Sequence, residues 1–342
     1  MSLPPERSDP RILIVRLSAI GDVVQSMPIA CALRDRFPKA TLVWAVEQRA
    51  ASLLEGHRAL DRVVALPRGW LKSPATLRRL RRELKAMRFD LALEAQGLTK
   101  AAILARLSGA RRRIGFGRPW GRELSRWINT ETVDTTSVHV VDRNMELLRP
   151  LGIDAPEVRF DVPELPADAA AAEALIERLG LQDGFAIINS GAGWPSKLWP
   201  NDRYAAVARH LADAWSLPSL VAWGSPAERA AAEQIVATAG NAAQVAPPTT
   251  LTVLGALARR ARLFLGSDTG PLHLAAAVGT PCVGLYGPWP ADRHGPYGPG
   301  NIALQKARFE GTTRQRRDAP AALMEAIGVE DVCAACDAIL GG

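Results

Sequence analysis

The strongest constraint on this chain is an alternation that runs through almost its whole length. Short apolar runs at 12–16, 41–46, 91–94, 113–116, 185–189, 219–223, 263–266 and 282–286 read as strands. Between them lie segments with apolar residues at helical spacing, among them 23–37, 74–87, 201–214, 227–239 and 251–259. Continuously apolar strands separated by amphipathic helices predict parallel sheets covered on both faces. The 342 residues exceed one ordinary core. The expected fold is therefore α/β, with two Rossmann-like, doubly wound parallel-sheet domains. A proline-containing stretch at 156–166 reads as the linker, giving an N-terminal domain over 1–160 and a C-terminal domain over 161–324. Ligands of such sheets bind beyond the carboxyl ends of the strands, so the domains are expected to face each other across a cleft.

Each half opens on a strand followed by a glycine-containing loop, at 12–22 and at 185–193. A third loop, Gly266-Ser267-Asp268-Thr269-Gly270-Pro271-Leu272-His273, joins a strand to a helix that opens at Gly270-Pro271. An opening helix presents unpaired N–H groups and the positive end of its dipole, which suits a phosphate. Pro271 fits the first turn, where a missing N–H costs nothing. Asp268, Thr269 and His273 would surround the anion with groups able to orient a sugar or nucleotide. A plain strand–turn–helix corner with a cap explains the same letters.

Several classes are excluded. Neither G-x-G-x-x-G nor G-x-x-x-x-G-K-[ST] occurs, and G-x-S-x-G is absent. There is no Asp-x-Asp pair for a metal diphosphate, so a nucleotide diphosphate would be neutralised by protein groups. Lys197, in Gly193-Trp194-Pro195-Ser196-Lys197-Leu198-Trp199-Pro200, is the candidate. Cys31, Cys282, Cys333 and Cys336 lack zinc-ligand spacing and read as reduced structural thiols, with Cys333-x-x-Cys336 the one pair near enough to question. No apolar run reaches the ~18–20 residues of a membrane span. The first ten residues carry prolines and both charge signs, unlike a secretory signal. The expected location is cytoplasmic.

The net charge of +7 is concentrated. Residues 68–88 hold Arg68, Lys72, Arg78, Arg79, Arg81, Arg82, Lys85 and Arg88 against Glu83. Leu77, Leu80, Leu84 and Met87 recur at helical spacing, so this helix should bury one face and display a basic one. Arg111, Arg112, Arg113, Arg118, Arg122 and Arg126 form a second cluster in the same half. An anionic partner or membrane surface is expected. No nucleic-acid motif is present.

Four segments taken together resemble the ADP-heptose:lipopolysaccharide heptosyltransferases of glycosyltransferase family 9, which have the GT-B fold. They are Ile14-Val15-Arg16-Leu17-Ser18-Ala19-Ile20-Gly21-Asp22-Val23, Glu94-Ala95-Gln96-Gly97-Leu98-Thr99-Lys100, Lys197-Leu198-Trp199-Pro200 and Ser267-Asp268-Thr269-Gly270-Pro271-Leu272-His273-Leu274-Ala275. They fall in the family's order and cover nearly the whole chain. The resemblance implies inverting heptose transfer from ADP-heptose, or a similar nucleotide-sugar, to the anionic Kdo–lipid A inner core, with no cofactor and no metal. It implies Asp22 as the general base, although a helix cap would use the same carboxylate. Lys197 would hold the diphosphate, Asp268 the heptose hydroxyls, Glu228 the ribose, and Thr269, Gly270 and His273 the rest of the donor. Arg68, Lys72, Arg78, Arg79 and Arg82 are the expected acceptor contacts, and would hold the enzyme peripherally at the inner face of the inner membrane. The closing helix, 325–342, is a candidate to return onto the first domain.

Glu94 stands where the family's first heptosyltransferases have Asp, Pro271-Leu272 where they have Leu-Ser, and Ser190-Gly191-Ala192-Gly193 where they have a threonine-bearing loop. These differences leave open another nucleotide-sugar or anionic acceptor, or a nucleotide-sugar 2-epimerase of GT-B type.

Overall fold

The computed structural model describes residues 9–342. The chain divides into two units, the first ending at Pro163 and the second spanning Glu164–Gly342, so the division falls inside the proline-containing stretch. The first unit holds β1 Arg11–Val15, β2 Thr41–Glu47, β3 Arg62–Leu66, β4 Leu91–Glu94, β5 Arg112–Phe116 and β6 Glu131–Val133, in the order β3-β2-β1-β4-β5-β6. The second holds β7 Ala186–Asn189, β8 Ser219–Ala222, β9 Ala243–Val245, β10 Leu263–Ser267, β11 Cys282–Leu285 and β12 Ile302–Leu304, in the order β12-β11-β10-β7-β8-β9. All pairings are parallel. Counted from its own first strand, each sheet reads 3-2-1-4-5-6, the doubly wound order.

Alternation along the strands divides each core into two layers. In the second unit Ile188, Val221, Leu263, Leu265, Val283 and Leu285 pack under helices Asn201–Trp215, Pro226–Ala239 and Val329–Leu340. Phe185, Ile187, Leu220, Ala222, Phe264 and Cys282 pack on the other face, under Pro166–Arg178, Leu251–Arg260 and Gly270–Ala277. In the first unit Leu13 and Val15 face Leu80, Leu84 and Leu104 of helices Pro74–Ala86 and Thr99–Leu107. Each such buried aliphatic side chain contributes about 1.5–3 kcal/mol. Strands buried on both faces read as continuous apolar runs, which is why the sequence exposes them.

One expectation changes. The helix expected over 23–37 is two helices, Ile20–Val24 and Met27–Arg36, because Pro28 lies in the first turn of the second and cannot continue a helix. Asn144 Nδ2 occupies the break, donating to Gln25 O (3.1 Å) and Ser26 Oγ (3.0 Å). The closing helix, Val329–Leu340, packs on the core of the second unit. Its Val332, Ala335 and Cys336 are buried, and Asp337 accepts from Trp215 Nε1 at 2.7 Å and pairs with His210 Nε2 at 2.8 Å. Its apolar stripe covers the layer beside helix Asn201–Trp215. Among the described residues no helix is long and apolar enough to cross a membrane.

Candidate functional site

In the second sheet β7 and β10 are neighbours at the point where the strand order reverses, so their loops part and leave a crevice. β10 delivers Asp268 and Thr269 there, and helix Gly270–Ala277 opens immediately after. Thr269 makes no side-chain cap to that helix; its Oγ1 instead accepts from Asn189 Nδ2, at the end of β7, at 3.5 Å. Asp268 is 8% exposed. Its Oδ2 lies 2.5 Å from Lys197 Nζ, its Oδ1 3.0 Å from His273 Nε2, and its carbonyl accepts from Lys197 at 3.0 Å. Burial pushes this carboxyl up, but the Lys197 ammonium and the His273 hydrogen bond outweigh that and hold it well below the usual carboxylate range.

Lys197 is placed by its neighbours in sequence. Pro195 opens a short 3-10 turn, Pro195–Lys197. Trp199 is 2% exposed, sits edge-on to Tyr204 with ring centres 4.9 Å apart, and donates to Ile327 O at 3.0 Å. That anchor fixes the loop, and the Lys197 side chain is only 13% exposed, so it is no solvated surface lysine. The ring of Trp289 lies 4.3 Å from Nζ, a cation–π contact that the sequence reading missed. The signal for it was Gly287-Pro288-Trp289-Pro290, a stiff aromatic loop just past β11. Glu228 lies at the neighbouring strand ends. Its Oε2 accepts from Gly224 N at 2.7 Å, and its carboxyl lies so close to Gly191 that a Cβ there would meet Glu228 Cδ at 2.6 Å. Lys197, Glu228, Asp268, Thr269, Gly270 and His273 therefore all sit at carboxyl ends of strands of one sheet.

In the first sheet the equivalent point lies between β1 and β4. Asp22 is on helix Ile20–Val24, its side chain 36% exposed. One oxygen accepts from Ala19 N at 3.0 Å, so it does serve the helix start, and the other pairs with Arg16 Nη2 at 2.9 Å. Arg16 is 6% exposed and also donates to Ala95 O. Its role as the partner of Asp22 carried no sequence signal beyond a charge ending an apolar strand. Beside them, Lys100 Nζ reaches Glu47 (2.8 Å) and Ser18 Oγ (3.1 Å), and Gln96 Oε1 accepts from Leu17 N at 3.1 Å. Glu94 is fully buried and accepts from Gln96 N (2.9 Å), Gly97 N (2.7 Å) and Asn129 Nδ2 (3.2 Å). Desolvation nonetheless pushes its carboxyl up. Gly97 has φ +69°, and a Cβ there would meet Trp120 O at 2.3 Å, so both conformation and space require glycine.

Helix Pro74–Ala86 is amphipathic as expected. Leu80, Leu84 and Met87 are buried, while Arg68, Lys72, Arg78, Arg79 and Arg82 are exposed. The second basic cluster is partly consumed by the fold. Arg112 is bidentate to Glu131 (2.8 and 2.9 Å), and Arg113 donates to Ile128 O and Ala110 O. Among the described residues no group of three or more His, Cys, Asp or Glu is placed to hold a metal ion.

A sequence model of glycosyltransferase family 9 (heptosyltransferase) matches residues 77–322, well over half of the chain. This chain belongs to glycosyltransferase family 9. It is 30% identical to lipopolysaccharide heptosyltransferase 1 of Pseudomonas aeruginosa, over 86% of this chain and 83% of that protein. It is 27% identical to lipopolysaccharide heptosyltransferase 1 of Escherichia coli, over 87% and 94%. Among solved structures, the family 9 glycosyl transferase of Veillonella parvula superposes with a TM-score of 0.84 at 22% identity, covering 97% of each chain. E. coli heptosyltransferase WaaC with ADP superposes with a TM-score of 0.78 at 24% identity, covering 96% of this chain and 99% of that one. The fold is GT-B, and the family 9 chain is a glycosyltransferase. Lys197, Glu228, Asp268, Thr269, Gly270 and His273 lie inside the matched segment, and Asp22 ahead of it.

Proposed function

We propose that this family 9 enzyme moves heptose from ADP-heptose, with inversion, to the Kdo region of the lipopolysaccharide inner core, working peripherally at the cytoplasmic face of the inner membrane. The reading is carried by Lys197, held by Asp268 and Trp289 in front of a helix start with no side-chain cap. A buried ammonium and helix N–H groups suit a diphosphate leaving group. The acceptor hydroxyl oxygen attacks the anomeric carbon, the carbon–oxygen bond to the β-phosphate breaks, and ADP leaves with the electron pair. Asp22 takes the hydroxyl proton; Arg16 and Ala19 N orient its carboxylate. Lys197 stabilises the charge gained by ADP, so the reaction runs without a metal or other cofactor. Asp268 and His273 bind heptose hydroxyls, and Glu228 the ribose. Arg68, Lys72, Arg78, Arg79 and Arg82 receive the anionic acceptor and the membrane headgroups.

The test is ADP release from ADP-heptose in EDTA, with and without Kdo-bearing lipid A. Acceptor-dependent release with glycosylated lipid in the mass spectrum is expected. Release only on addition of divalent metal would overturn the metal-free reading. Consumption of ADP-heptose without acceptor would point to isomerisation instead.

A further inference from the structure

A cavity in the same unit is lined in part by Trp194, Pro195 and Ser196, of the loop that carries Lys197. It is about 660 Å³ in volume, within the ~300–1,000 Å³ range of small-ligand sites. Trp194, Ser196, Arg314, Arg317 and Asp318 line it. Arg314 and Arg317 come from the short helix Thr313–Arg317, whose start is fixed by a Thr312–Gln315 capping box. The Arg317 guanidinium lies over the Trp194 ring, 4.0 Å from its centre, a cation–π contact. Among the described residues no carboxylate pairs with either arginine. Ser196 is 3% exposed, and its Oγ is buried without a hydrogen-bond partner in the protein. A buried hydroxyl left unpaired costs about 1–3 kcal/mol, so a ligand atom that pairs with it is favoured.

These groups make a complementary set. Two guanidinium groups suit a carboxylate or phosphate, and bind it bidentately. The Asp318 carboxylate and Ser196 Oγ suit sugar hydroxyls. The indole of Trp194, 38% exposed, offers a flat apolar face to a sugar ring. None of the residues assigned to the donor lines this cavity.

We propose that this cavity binds an anionic sugar residue of the acceptor, its carboxylate or phosphate on Arg314 and Arg317. The assignment to the acceptor rests on the function proposed above, while anion binding by the cavity does not. The full-length protein is saturated with ADP to fill the donor site, then titrated calorimetrically with free Kdo and, separately, with inorganic phosphate. Wild type binds, and the Arg314→Ala/Arg317→Ala double variant loses about tenfold or more in affinity, as expected for losing charge-assisted hydrogen bonds. Arg317→Lys, which keeps charge but not the fork, falls between. In the transfer assay the double variant raises acceptor KM by a similar factor and leaves ADP-heptose KM unchanged. Phosphate that matches Kdo and displaces it assigns the cavity to a phosphate group of the acceptor. Kdo and phosphate affinities unchanged in the double variant overturn the proposal. So does a loss of ADP affinity, which would make the cavity part of the donor site. Absence of transfer to any lipopolysaccharide acceptor would overturn the function above and leave the titration to decide the cavity alone.

Discussion

Asp22 is held by Arg16 and the Ala19 amide, which orient its carboxylate while its side chain stays 36% exposed. Asp22→Asn keeps an acceptor for the amide but removes the charge that can take a proton. Transfer should fall by about 10²–10⁴-fold while ADP affinity stays within about twofold; near-normal turnover would remove Asp22 as the base. Asp268 tests the opposite kind of residue, buried and paired on both oxygens. Asp268→Asn leaves the Lys197 ammonium buried without its partner, which should cost about 3–5 kcal/mol at pH 7. The sign with pH follows from its depressed folded pKa. The stabilisation is present above the unfolded carboxylate value of about 4 and is lost as pH falls through the lower folded value. Denaturant titrations should therefore show a constant gap between wild type and variant from pH 8 to 5, narrowing below about 4. A gap that instead widens in acid would mean the ion pair is not what holds Asp268. The residue types were legible, because aspartate at a strand end and lysine between prolines and tryptophans are unusual letters. Their partners were not, since Arg16 and Trp289 meet Asp22 and Lys197 only through tertiary packing.

At the scale of elements, the eight strands read from sequence are the eight interior strands of the two sheets. The four that escaped, β3, β6, β9 and β12, are the four sheet edges. An edge strand is paired on one side only, so it can be short and half exposed and lack a continuous apolar run. β6, β9 and β12 are three residues each, and β3 alternates exposed with buried positions. The helix Pro74–Ala86 was legible for the reverse reason: one stripe is leucine and the rest is charge. Its basic face makes a prediction of its own. Arg78→Glu/Arg82→Glu changes exposed positions, so stability should move by no more than about 0.5 kcal/mol per site. Each basic group near an anionic surface is worth about 1 kcal/mol, so reversal of two should weaken binding to anionic vesicles by at least about tenfold and raise acceptor KM. Unchanged vesicle binding and unchanged KM together would make this face merely solvated.

Over the whole molecule, the same 3-2-1-4-5-6 sheet appears twice, and each copy gathers different chemistry at its reversal point. The second copy collects Lys197, Glu228, Asp268 and His273, the groups assigned to the nucleotide-sugar. The first collects Asp22, Arg16, Gln96 and Lys100, and carries the basic helix. The duplication was legible because both halves open on an apolar strand and a glycine loop. The placement of the closing helix was not, because an apolar stripe states that it must be buried and not against which layer. This division of labour predicts where a nucleotide acts. A ligand bound only to the folded state at 100 times its Kd adds about 2.7 kcal/mol to every opening that releases it, equivalent to about 100-fold slower exchange. Hydrogen exchange of the full chain with ADP should slow amides of the loops at 189–198, 224–228 and 267–273 by up to that factor. Strands β1 to β6 should exchange as they do without ADP, because none supplies a group assigned to the nucleotide. Lys197→Ala should abolish most of the protection at all three loops together, since one ligand holds them. Protection concentrated in β1, β4 and their loops would place the nucleotide on the first sheet and reverse the assignment of the two copies.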